Sequence, residues 1–247
     1  MLTTKAKYYD IKNKSWKEIE VKIDKKLNFD YSNSSWFAID GEFLGLYPGR
    51  DKDVLWTIGS EDDNGNLRVE MIYTYEGDAD ISGLDELLQS DKEKMFFYGQ
   101  IDLAFLYKLT GKKVAQPIFD VKVCSKVVRS YTGEHNIDGM VKSFAGTMED
   151  IFPKREMGKF KEFGFSPETW DEQLHQYNVN DVAYLKFLSE KIKEMAKRID
   201  KEEAMNAVNA ALPELAVLYA KGYYRDVFSF TYNDTDMASG TVIPRGR

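Results

Sequence analysis

Trp36-Phe37-Ala38-Ile39-Asp40-Gly41-Glu42 is the stretch that decides the fold. Four apolar residues in a row form a strand-length run, and they lead directly into two acids. Side chains alternate along a strand, so Asp40 and Glu42 point to one side from the rim of a hydrophobic sheet. Two unpaired carboxylates placed there repel each other, and each raises the pKa of the other. A bound cation removes that penalty. Gly41, between them, leaves room for close approach by a ligand or backbone.

Outward from this strand, Val54 to Ile58 reads as a second strand and Leu67 to Tyr73 as a third. Asp63-Asn64-Gly65-Asn66 between them is turn chemistry, which predicts an antiparallel hairpin. Past Gly83 the period becomes helical at Leu84, Leu87 and Leu88. Met95 to Tyr98 then reads as a strand, Asp102 to Leu109 as a helix and Pro117 to Phe119 as a strand. Val123 to Val128 and Ile137 to Phe144 have helical spacing, and a long helix, whole or broken once, is expected over about 168–198. Hairpin strands followed by alternating helices and short strands predict a mixed α/β sheet. Residues 1–34 are lysine-rich and read as a solvated leader or a short added hairpin. Residues 199–247 read as a helical extension, with a helix over 202–222 interrupted at Pro213.

Composition narrows the chemistry. Apolar residues make up 43% of the chain, enough for a real core. The polar N-terminus argues against a signal peptide, and no apolar run reaches membrane-spanning length. One cysteine, Cys124, suits a reducing cytoplasm. Two histidines, His135 and His175, leave little for a zinc site, and neither is assigned a catalytic role. Cys124, on an apolar-rich helix, reads as core. Abundant carboxylates suit Mg²⁺ or Mn²⁺. The net charge of −7 averages over the surface and does not exclude a nucleic-acid partner.

Two further acids join the first pair. Asp102 stands where a strand gives way to an apolar helix, a position that also fits a helix cap. Tyr177 and Asp181 are four residues apart and share one helix face. There a phenol can orient a water while the carboxylate one turn away holds a metal.

Together, Asp40-Gly41-Glu42, Asp102 and Tyr177-x-x-x-Asp181 resemble the three motifs of the ribonuclease D-like branch of the DEDD exonuclease superfamily, in its tyrosine subgroup. The segment Gly45-Leu46-Tyr47-Pro48-Gly49-Arg50-Asp51 and the stretch Phe119 to Thr132, similar to a following helix, resemble the short bacterial members, as does Leu212 to Phe230. The resemblance implies a ribonuclease H-like mixed sheet over residues 35–198, and two Mg²⁺ or Mn²⁺ ions about 3.5–4 Å apart. Asp40 would bridge them, with Glu42 and Asp181 on one and Asp102 supporting the other. Tyr177 would position the attacking water, and nucleoside 5′-monophosphates would leave the 3′ end of RNA or single-stranded DNA. A silent nucleic-acid-binding scaffold and a DNA-specific trimming enzyme are the rival readings.

Contacts to the strand are expected from Lys122, Lys126 and Arg129 on one helix face, and from Lys154, Arg155, Lys159 and Lys161 in a Gly-containing loop. Phe43, Leu44 and Leu46 are candidates to wedge against the terminal base, with core packing expected for at least one of them. The sequence departs from the family where Gly41 replaces the usual Thr and Phe97 a frequent His. The Ser-x-Trp element before the last motif is also missing.

Overall fold

The computed structural model describes residues 1–129, 134–146, 166–170 and 172–222. Strand β3, Trp36–Phe43, occupies the interior of a seven-stranded mixed sheet. Its partners are β4, Asp53–Glu61, antiparallel to it, and β6, Glu93–Phe96, parallel to it. Strand β5, Leu67–Tyr73, pairs antiparallel with β4, so the hairpin expected around Asn64-Gly65 forms. The three-residue β7, Ile118–Asp120, runs parallel to β6 at one edge.

At the other edge, the hairpin alternative for residues 1–34 is the one that forms, and not a solvated leader. These residues build a hairpin of β1, Leu2–Asp10, and β2, Ser15–Asp24, and β2 joins the sheet parallel to β5. The full strand order is β1-β2-β5-β4-β3-β6-β7. Ala6, Tyr8, Val21 and Ile23 are the buried face of the hairpin. Some of its lysines stand in ion pairs, among them Lys5 with Glu18, Lys17 with Asp10, and Lys25 with Glu76 and Asp78.

Helices cover both faces of the sheet, and the alternation of β3 sorts its side chains between them. Phe37 and Ile39 face a layer made of α1 (Ser82–Gln89), α2 (Gln100–Thr110) and α7 (Glu202–Ala220). Trp36 and Ala38 face the opposite layer of α3 (Val121–Arg129), α4 (Ile137–Ala145), α5 (Glu172–Ala183) and α6 (Leu185–Arg198). The long helix expected over 168–198 is thus a 3₁₀ turn at Pro167–Thr169 followed by two helices that break at Tyr184.

Pro213 does not interrupt α7; it lies inside the helix and is buried. Proline deprives the carbonyl four residues earlier of its helical donor. That carbonyl belongs to Asn209, and the Gln116 side-chain amide donates to it instead at 3.1 Å. Among the described residues, no helix is long and apolar enough to cross a membrane.

Candidate active site

The period-2 rule continues past Ile39, so Asp40 and Glu42 emerge on the Trp36/Ala38 face, toward α5. That helix approaches closely because β4 offers a glycine. A Cβ built on Gly59 would stand 3.0 Å from the side chain of Val182. Val182 fixes the inner side of α5, and the next residue back, Asp181, meets the strand acids. Asp40, Glu42 and Asp181 each bring one carboxylate oxygen to within 4.8 Å of the others.

Asp102 arrives from the parallel neighbour β6, whose chain turns into α2 at the same end of the sheet as Asp40. It is not the cap of its helix, since Gly99 holds that position without a side-chain bond. Its carboxylate instead accepts the main-chain N–H of Gly41 at 2.9 Å, between the two strand acids. Burial, followed by the negative charge of Asp40, pushes the Asp102 carboxyl well above the usual carboxylate range. Burial likewise raises the Asp40 carboxyl to about 7. The Tyr177 phenol is driven far above its ordinary value by burial and by Asp181, Glu42 and Asp40, and it hydrogen-bonds Asp181. It is a neutral donor at the rim of an acidic cluster. This oxygen-only donor set is crowded enough to shift its own titration, which fits a small divalent cation.

The other expected contacts divide. Phe43 is engaged on the opposite face, stacked on Phe105 at 4.0 Å and edge-on to Trp56 at 5.4 Å. Leu44 is partly exposed, and Leu46 is exposed at 56% with its carbonyl held by the Tyr219 hydroxyl. Lys122 and Lys126 lie over the ring of Tyr98 at 4.4 and 5.8 Å, and Arg129 over Phe144. Lys154, Arg155, Lys159 and Lys161 lie outside the described residues, as do Tyr131 and Thr132 and the segment 223–230. His175 is buried against Trp170, and His135 bonds Ser125. Cys124 is buried, and burial pushes its thiol up to about 12, which suits core and not a nucleophile.

Gly41 has a local reason to depart from threonine. A Cβ there would stand 2.7 Å from Trp56 and closer still to the Phe43 ring. We expect Gly41→Ala to cost about 1–3 kcal/mol by overpacking. Phe43→Leu in the same chain should recover part of that loss in urea unfolding. Strict additivity of the two changes would contradict the clash.

Sequence reasoning missed Asp120. This buried carboxylate accepts from the main-chain N–H of Tyr98 at 3.2 Å, Gly99 at 2.7 Å and Val123 at 2.8 Å. It therefore caps α3 and pins the turn that launches α2, where Tyr98 adopts a left-handed φ of 65°. In turn its own N–H is held by Asn209 at 2.9 Å.

No protein-family model and no curated protein matches the sequence, but solved structures do. Brucella melitensis NrnC superposes with a TM-score of 0.69 at 25% identity, over 85% of this chain and 99% of that one. Two further NrnC structures, one with bound Mg²⁺ and one bound to pGG, match at TM-scores of 0.68 and 0.69. Escherichia coli RNase D, an exoribonuclease involved in structured RNA processing, shares the fold at a TM-score of 0.56 and 18% identity, over 74% of this chain and 45% of that one. In fold, in its span of almost the whole of NrnC and in its clustered acids, the chain is similar to short ribonuclease D-like nucleases.

Proposed function

We propose that the protein is a two-metal-ion 3′→5′ exonuclease of the tyrosine DEDD type that trims short single-stranded oligonucleotides. The convergence of Asp40, Glu42 and Asp181 beside Tyr177 carries this reading. Asp40, Glu42 and Asp181 would hold one Mg²⁺ or Mn²⁺, and Asp102 with Asp40 the second. Such ions supply a nucleophilic water at neutral pH and neutralise charge on the phosphoryl and leaving oxygens. Tyr177, kept neutral with its hydroxyl proton donated to Asp181, would orient an attacking water by accepting one of the water's protons on its phenol oxygen. Asp102 holds the Gly41 main chain, which keeps the two strand acids in register. Leu46 is exposed for a terminal base, and Lys122, Lys126 and Arg129 offer charge to the backbone. The pGG complex of NrnC favours short oligonucleotides as the substrate class.

The test is incubation with 5′-labelled single-stranded RNA and DNA of matched sequence plus Mg²⁺ or Mn²⁺. A ladder shortening from the 3′ end is expected, with hydrolysis lost in excess chelator. Undiminished activity in chelator would rule out the metal mechanism.

The raised carboxyls also predict a pH signature. Asp40 and Asp102 hold protons more tightly in the fold than in the unfolded chain. Their contribution is therefore fully present below the unfolded carboxyl pKa of about 4. It is lost as pH rises, for Asp40 through about 7. In chelator the melting temperature should fall between pH 5 and 8, and Mn²⁺ should restore it most at the upper end. Parallel melting curves with and without Mn²⁺ across that range would remove the site from consideration.

A further inference from the structure

Helix α5 carries Tyr177 and Asp181 toward the acids, and its other side is fastened to the edge strand β1. The Lys7 main-chain N–H donates to Gln176 Oε1 at 2.6 Å, and Gln176 Nε2 donates back to the Lys7 carbonyl. The carboxamide thus meets both outward main-chain groups of one edge residue, as a neighbouring strand would. Its second N–H donates to Asn180 Oδ1, one helical turn on, at 3.0 Å. Gln176 and Asn180 immediately precede Tyr177 and Asp181, so the pair tied to the strand is offset by one residue from the pair facing the acids. Farther along the same edge, the Tyr9 N–H donates to the Tyr184 hydroxyl at 3.0 Å, where α5 gives way to α6.

We propose that Gln176 is a positioning residue. Its two-point bond to Lys7 sets the rotation and axial position of α5, and thereby the placement of the Tyr177 hydroxyl and the Asp181 carboxylate against Asp40 and Glu42. A single hydrogen bond leaves a helix free to roll, whereas two antiparallel bonds to one residue fix both roll and slide. A displacement of about 1 Å at a reacting group can cost roughly 10²-fold in rate, so a modest loosening is measurable. The inference rests on the exonuclease reading for its kinetic arm and on the metal site alone for its second arm.

The experiment compares the full-length wild type with Gln176→Met, which keeps the length of the side chain and loses every bond, and Tyr184→Phe. The latter removes a hydrogen bond to the same edge strand but lies away from the acids. Two readouts are taken: the single-turnover rate on a 5′-labelled strand, and the Mn²⁺ midpoint from thermal shift with Mn²⁺ alone. Gln176→Met should lower the rate about 10-fold or more and raise the Mn²⁺ midpoint severalfold. Tyr184→Phe should lower the melting temperature comparably yet leave rate and midpoint within about twofold of wild type. If Gln176→Met does not fold, Lys7→Pro removes the strand's donor and leaves Gln176 in place, with the same two changes expected. Wild-type values for the Gln176 variant, or equal losses in Tyr184→Phe, would overturn the assignment. If even the wild type cleaves nothing, the exonuclease reading fails, and the Mn²⁺ midpoints alone decide on Gln176.

Discussion

Asp181→Ala should reduce single-turnover hydrolysis by roughly 10³-fold or more, because it removes a ligand from a cation position that the chemical step needs. Tyr177→Phe keeps the ring and loses only the hydroxyl. Its rate should fall about 10²-fold, while the Mn²⁺ midpoint and binding of a strand's 3′ end stay near wild type. The two variants therefore separate in the metal titration: excess Mn²⁺ recovers part of the Asp181→Ala loss and none of the Tyr177→Phe loss. Removing one like charge from the carboxylate cluster should also raise the melting temperature of metal-free Asp181→Ala. Equal rates for wild type and both variants would defeat the active-site assignment.

The largest stability effect is expected at Asp120. Replacing it with Ala strips an acceptor from the buried N–H groups of Tyr98, Gly99 and Val123. Each unsatisfied group costs about 1–3 kcal/mol, and partial relaxation should bring the total to roughly 3–5 kcal/mol. Asp120→Asn keeps one acceptor oxygen but points a donor at a donor, so an intermediate loss is expected. Urea unfolding monitored by tryptophan fluorescence measures both. Folded Asp120→Ala should also be slow in hydrolysis, because the turn that aims Asp102 has lost its anchor. A change under about 1 kcal/mol would mean that water replaces the carboxylate without cost and that the turn holds itself.

Much of the site was legible because its signals are local. Asp40 and Glu42 follow from strand alternation, Tyr177 and Asp181 from helical spacing, and the hairpin from Asn64-Gly65. What was misread had partners far away in sequence. Asp120 carries no local signal of its role, because the N–H groups it holds at Tyr98 and Gly99 lie more than twenty residues upstream. Pro213 reads as a break until Gln116 is seen to serve the carbonyl it abandons. The hairpin at residues 1–34 did carry a period-2 signal in Ile19, Val21 and Ile23. Its lysine content left the choice between hairpin and solvated leader open, although several of those lysines pair with acids on the hairpin or on the loop after β5. The glycine at position 41 is explained by Phe43, whose ring crosses under the strand, a packing choice no motif records.

Both borders of the sheet meet uncharged polar side chains. Gln176 and Tyr184 meet the outward groups of Lys7 and Tyr9 on β1, and Asn209 meets the N–H of Asp120 on β7. A border whose donors and acceptors are already engaged gives a second molecule no ladder on which to add a strand. Edge-to-edge addition is therefore disfavoured at Lys7, Tyr9 and Asp120, alongside the charges of Lys5 and Lys7 on β1. Opening one border, as Gln176→Met does, should make the protein more prone to aggregate on heating even where its fold survives.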